Sequence, residues 1–137
     1  MKTKISLNKG FTLAEILVVL VIIGVLAALM WPNYTAIKEK TLNREAKATL
    51  ALIRAAEKIY RMEEGFYYPD PSGTVSDVSS INQYLRVSLP SANRNWEINV
   101  HSSNTTGTSA RVGGGRVWSI DFPGEGEPTC AGSTYCP

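Results

Sequence analysis

The sequence predicts an α+β fold: a long N-terminal α-helix whose second half packs on a small antiparallel β-sheet. Three observations carry this. Phe11–Trp31 is a run of 21 nearly unbroken apolar residues, and at about 1.5 Å per residue that run matches the thickness of a bilayer core. Beyond it, Ala46, Leu50, Ile53, Ala56 and Tyr60 recur at three- and four-residue steps, the mark of a helix with one buried face. Trp96-Glu97-Ile98-Asn99-Val100 and Arg116-Val117-Trp118-Ser119-Ile120-Asp121-Phe122 alternate apolar and polar residues, as half-buried strands do.

A chain of 137 residues has room for one small domain. Its charge is uneven. Lys2, Lys4 and Lys9 stand in the first ten residues with no acid among them; without these lysines the 14 basic residues become 11 against 12 acids, a net charge of −1. The body has no basic footprint for nucleic acid, and no recognisable nucleic-acid motif.

The apolar run is too long for the core of a cleavable secretory signal, and no small-residue cleavage site follows it. Met30-Trp31-Pro32 leads straight into more helical sequence. A plain membrane-spanning helix explains the length, and the three lysines ahead of it would hold that end in the cytoplasm. Glu15 is the residue it does not explain, because an ionisable group inside a span is normally functional or paired; its position near the start of the span also allows the carboxylate to snorkel to the interface. Gly24 and Pro32 weaken a helix. A tolerated glycine and a proline marking the end of the span account for them equally well.

After Pro32 the helix is expected to continue to Glu64, with Gly65 as its C-terminal cap. Its mixed charges read as a solvated face, and Glu57 with Arg61 forms an i, i+4 pair of the favourable order. Gly65–Gly73 is a loop by composition. Its adjacent aromatics Phe66, Tyr67 and Tyr68 are expected to cover the core. Val78–Leu85 forms a short helix with Ser79 or Ser80 near its start. The two alternating segments give strands, a third lies around Ala110–Val112, and Gly113-Gly114-Gly115 makes a turn, for a sheet of about three strands. Gly124–Pro137 reads as an irregular tail. Cys130 and Cys136 fall in this tail, and so short a pair reads best as a disulfide in an oxidising compartment; two free buried thiols are the other reading. Metal sites usually need four ligands, and the only histidine, His101, is far from the cysteines.

Lys9-Gly10-Phe11-Thr12-Leu13-Ala14-Glu15-Ile16-Leu17-Val18-Val19 resembles the class III signal of type IV pilins and type II secretion pseudopilins. The resemblance implies a leader (1–10), a transmembrane and filament-core helix (11–32) and a globular head (33–137). It implies that a prepilin peptidase cuts between Gly10 and Phe11 and methylates the new amine of Phe11. Glu15 becomes the fifth mature residue, the place of the family's glutamate; Ala14 stands where the family usually has a larger aliphatic residue. A buried carboxylate is tolerable only when paired, and inside an apolar shaft Glu15 can meet the Phe11 amine of a neighbouring subunit. The uncut leader withholds that amine, so assembly is gated by processing.

The resemblance implies further that the stretch between Gly24 and Pro32 can unwind in the assembled filament. The implied partners are other copies of the chain in a helical homopolymer, the prepilin peptidase/methyltransferase, an inner-membrane assembly platform and, before assembly, membrane lipid. The precursor would lie in the inner membrane and the filament outside it or in the periplasm. The Gly-aromatic-Pro loop also resembles pilins and pseudopilins alike, the family often has a disulfide-bounded C-terminal region, and the disulfide tilts the reading from pseudopilin towards pilin. A minor tip subunit or adhesin is the other alternative. Some pseudopilins bind calcium in a C-terminal loop, which makes Asp121, Glu125 and Glu127 the candidate ligands. No nucleophile motif, phosphate loop or cofactor signature is present, so the expectation is a structural protein that is not an enzyme and carries no cofactor.

Overall fold

The computed structural model describes residues 10–70, 73–92, 94–102 and 105–136, and the side chains of residues 31–33 lie outside that description. The three leader lysines fall outside it too. Two compact units divide between Lys38 and Glu39.

Helix α1 spans Leu13–Glu64, 52 residues. Its backbone is helical through Gly24 and Pro32, the stretch for which unwinding is expected only in an assembled filament. Within the second unit α1 presents Leu42, Ala46, Leu50, Ile53 and Ala56 to the core, all buried, which is the face the periodicity marks. The helix stops at Gly65. That residue has φ +90° and its N–H donates to the Arg61 carbonyl at 2.9 Å; a left-handed φ of this kind suits glycine at a helix C-terminus.

The rest is a meander. β1 (Thr74–Val75), β2 (Trp96–His101), β3 (Thr106–Arg111), β4 (Val117–Asp121) and β5 (Thr129–Ala131) form a five-stranded sheet in chain order, with every neighbouring pair antiparallel. Helix α2 (Val78–Leu85) lies between β1 and β2 in sequence. The sheet has two strands more than the three expected, β1 and β5, and its middle strand is longer than the segment around Ala110–Val112. β3 extends back to Thr106 although Thr-Gly-Thr-Ser-Ala-Arg shows no apolar alternation. Its inward residues are Gly107 and Ser109, and Ser109 stands between Ile98 and Trp118 in register. A Cβ on Gly107 would come within 3.1 Å of the Phe122 ring, so this strand is thin because its neighbours are large. β5 corrects the expectation of an irregular tail: Trp118 pairs with Cys130 there.

The N-cap of α2 is Asp77, ahead of both serines considered for the start. Its Oδ2 accepts from the Ser80 N–H at 2.9 Å and the Ser80 hydroxyl at 2.6 Å, while Oδ1 accepts from the Ser79 N–H at 3.4 Å. The Ser80 side-chain hydrogen bond, then its backbone one, hold the Asp77 carboxyl below the usual range. After α2, the Asn82 amide donates to the Leu89 carbonyl and accepts from the Leu89 N–H, both at 2.8 Å. The core closes between α1, α2 and the inner sheet face, where Trp96, Ile98, Val100, Trp118, Ile120 and Phe122 are buried. Tyr68 is buried with them and Phe66 stays partly exposed, so the aromatic loop does cover the core.

Candidate functional site

The start of α1 is built by Thr12 and Glu15. The Glu15 N–H donates to Thr12 Oγ1 at 3.2 Å. In return Glu15 Oε2 accepts from the Thr12 N–H and from the Thr12 hydroxyl, each at 2.8 Å. This reciprocal arrangement is a capping box: threonine at the N-cap, glutamate three residues on, each satisfying a backbone donor that the first turn leaves over. A carboxylate at a helix N-terminus also meets the positive end of the peptide dipoles. The Thr-x-x-Glu spacing is the local signal for such a box, and the box gives Glu15 a role that the sequence reading did not include. Phe11 lies just before the cap and is 84% exposed, next to the exposed Gly10.

Downstream, Leu13–Met30 has a mean hydropathy of 2.9 and none of it is buried. It is long and apolar enough to cross a membrane. A helix apolar on every side is stable only against lipid or protein, and the unit it belongs to provides neither. Gly24 lies in this bare segment, and a side chain there would meet no other atom within 4 Å, so no close packing inside the chain requires glycine.

Residues 5–31 match the family described as the prokaryotic N-terminal methylation motif. The chain is similar to type II secretion system core protein G of Klebsiella pneumoniae, 38% identical over 53% of this chain and 52% of that protein. It is 38% identical to the type IV major pilin protein PilA of Myxococcus xanthus over 44% of this chain and 27% of that one. It is 29% identical to the type IV wide pilus major component of Thermus thermophilus, over 86% of this chain and 84% of that one. The chain carries this methylation motif and is similar to type IV pilins and to type II secretion pseudopilins. It spans about half the length of the protein G relatives from Klebsiella pneumoniae and Escherichia coli. No solved structure matches it.

In this pilin-like chain the remaining candidate residues divide by structure. Cys130 and Cys136 form a disulfide with Cα atoms 5.6 Å apart. The loop it closes docks on α1, where Asn43 Nδ2 donates to the Tyr135 carbonyl at 3.0 Å. The same Asn43 accepts from Trp118 Nε1 at 3.4 Å. His101 belongs to the sheet: its ring nitrogens reach the hydroxyls of Thr74 at 2.7 Å and Thr108 at 3.3 Å. Arg111 and Arg116, which flank the glycine turn, have protein partners. Arg111 Nη1 donates to the Asn95 carbonyl at 2.9 Å. Arg116 is 3% exposed, pairs with Glu39 and lies over the Trp96 ring, 5.2 Å from its centroid.

Asp121, Glu125 and Glu127 are all exposed, and among the described residues no group of three acidic, histidine or cysteine side chains is placed to hold a metal ion. The loop carbonyls a cation would use are bonded from α1. Arg54 Nη1 donates to the carbonyl of Gly126 at 2.6 Å and to that of Gly124 at 3.4 Å.

Glu57 departs most from its expected place. Sequence spacing put it on a solvated face, paired with Arg61. It is instead 0% exposed, and Arg61 turns to the Tyr67 hydroxyl at 3.0 Å.

Proposed function

We propose that the chain is the structural subunit of a type IV pilus-like filament. Prepilin peptidase cuts it between Gly10 and Phe11 and methylates the Phe11 amine, and the assembly platform of the inner membrane polymerises it through α1. The precursor is anchored in the inner membrane by Leu13–Met30, and the product lies in an extracellular or periplasmic filament serving adhesion, motility or DNA uptake. The observation that carries this reading is the pairing of a matched methylation motif with an 18-residue apolar helix that has no buried residue. Such a helix needs lipid in the precursor and other copies of itself afterwards. Glu15 then meets the Phe11 amine of a neighbour inside the shaft, and Gly24 with Pro32 marks where α1 loosens on assembly.

A pseudopilin of a type II secretion system is the second reading. The similarity to protein G relatives favours it, but that similarity covers 53% of this chain, whereas the similarity to the Thermus wide-pilus component covers 86%. The disulfide favours the pilus as well. A minor tip subunit is the third reading, and it is disfavoured by the presence of Glu15.

Filaments sheared from cells, imaged and analysed by mass spectrometry, test the proposal. The expected result is this polypeptide as their dominant component, beginning at a methylated Phe11. An intact Met1 in membrane-bound chains that never enter filaments would overturn it, and trace amounts at filament ends would select the tip reading.

A further inference from the structure

Glu57 is wholly buried in the head and its carboxyl group has no cationic partner. Oε2 accepts the backbone N–H of Tyr68 at 3.0 Å, and Oε1, equally buried, has no hydrogen-bond partner. The bond joins α1 to the loop that follows it. The Tyr68 ring is in turn held by Tyr60 of α1, edge-on at 5.8 Å, and stacked on Tyr84 of α2 at 4.8 Å. Three segments therefore meet over one carboxyl group.

The groups around it offer no compensating charge. On α1, Arg61 is bound to Tyr67 and Arg54 to the Gly124 and Gly126 carbonyls. Just past α2, Arg86 pairs with Glu63 at 3.2 Å. The charged groups felt by the tyrosines are the acids Glu57 itself, Glu64, Asp70 and Asp77. Burial, first, pushes the Tyr60 and Tyr68 hydroxyls above the usual tyrosine range, so both are neutral around neutral pH. The residue after β4 contributes apolar packing, with Phe122 5.6 Å from the Tyr67 ring.

We propose that Glu57 is a proton-operated latch: its neutral carboxyl group keeps the loop 66–70 closed on the core, and ionisation releases that loop. The proton resides on Oε1, leaving Oε2 to accept from Tyr68. Ionisation leaves a buried charge with a single hydrogen bond, which is relieved when the loop lifts and water enters. Desolvation pushes the Glu57 carboxyl up from 4.5 to about 7, against the pull of the Tyr68 N–H. The closed loop thus binds the proton more tightly than the open one. Below the ordinary value of 4.5 both forms are neutral and the latch has its full strength. Between there and about 7, opening grows by roughly tenfold per pH unit, and above that it levels off because both forms are ionised. The loop also lines a surface cleft of about 460 Å³, which changes shape when it lifts. This inference rests on the head alone and stands apart from the filament reading.

The test uses the full chain in detergent micelles. The Glu57 carboxyl carbon is followed by NMR from pH 4 to pH 9. Proteinase K cutting within 66–70 is measured over the same range, relative to Glu57→Gln at each pH. The expected result is a midpoint near 7 and a cutting ratio that climbs roughly tenfold per unit until it flattens there. A midpoint near 4.5, or loop cutting with the same pH course in both chains, overturns the latch. Should Glu57→Gln fail to fold, solvent exchange of the Tyr68 amide in the unaltered chain, corrected for its intrinsic pH dependence, replaces the ratio and must show the same rise.

Discussion

Glu15 accepts the backbone N–H of Thr12 on the same oxygen, Oε2, that accepts the Thr12 hydroxyl. One carboxylate oxygen therefore serves the chain's own helix start. The expected consequence is a division of roles between the two residues. Glu15→Ala removes the cap and, in the proposed assembly, the partner for a neighbour's Phe11 amine, so it is expected to abolish filaments while leaving the precursor cut and anchored. Thr12→Val removes the hydroxyl contacts but keeps the Thr12 backbone bond and the carboxylate, so filaments are expected in reduced number. Electron microscopy of sheared fractions, with an immunoblot of processed chain in the membrane, checks both. Normal filaments from Glu15→Ala would dismiss the role given to this glutamate.

Arg116 and Glu39 make the one ion pair among the described residues that is mostly shielded from water, with side chains 4% and 24% exposed. Two further guanidinium nitrogens of Arg116 are buried without hydrogen-bond partners. Removing the acid leaves a buried charge uncompensated, so Glu39→Ala is expected to cost about 3–5 kcal/mol of head stability. Replacing both residues, as Glu39→Leu with Arg116→Met, is expected to cost much less, because no isolated charge remains. Urea unfolding followed by tryptophan fluorescence measures both, since Trp96 lies under the guanidinium.

Most of the fold was legible because its largest elements obey simple periods. The core face of α1 repeats at helical spacing, and β2 and β4 alternate. The first part of β3 and all of β5 were hidden because their inward residues are Gly107, Ser109 and Cys130, whose size is dictated by Phe122 and Trp118 across the sheet and not by any local pattern. At the helix start the methylation motif and the Thr-x-x-Glu box both lie within a few residues, so the candidate site could be read locally. Glu57 could not. The donor that draws it inward is the Tyr68 N–H, 11 residues along the chain, and the i, i+4 spacing to Arg61 imitates a surface pair.

The disulfide holds more than its own short loop. Cys130 lies in β5 opposite Trp118, and the Tyr135 carbonyl inside the loop accepts from Asn43 on α1. Loop-closure entropy for so short a ring amounts to about 2 kcal/mol. Cys130→Ala with Cys136→Ala is expected to lose that amount and to unpair β5 while β2, β3 and β4 persist. Amide hydrogen exchange under reducing and oxidising conditions reads this: protection at 129–131 should fall selectively, and uniform loss across the sheet would show that the disulfide supports the whole head.

Arg54 gives the last prediction. Its guanidinium reaches the carbonyls of Gly124 and Gly126, supplying from α1 the positive charge that a bound cation would bring to this loop. The acids nearby, Asp121, Glu125 and Glu127, are exposed and do not converge. Calcium is therefore expected to leave the melting temperature of the chain unchanged at millimolar concentration. Arg54→Ala is expected to lower stability by about 1.5 kcal/mol, the scale of a charge-assisted hydrogen bond. Arg54→Lys is expected to recover part of it, since an ammonium reaches one carbonyl more readily than two. Differential scanning calorimetry with and without calcium checks the set. A calcium-dependent rise of several degrees in the unaltered chain would mean that the acids converge on an ion after all, with Arg54 displaced from the carbonyls it now holds.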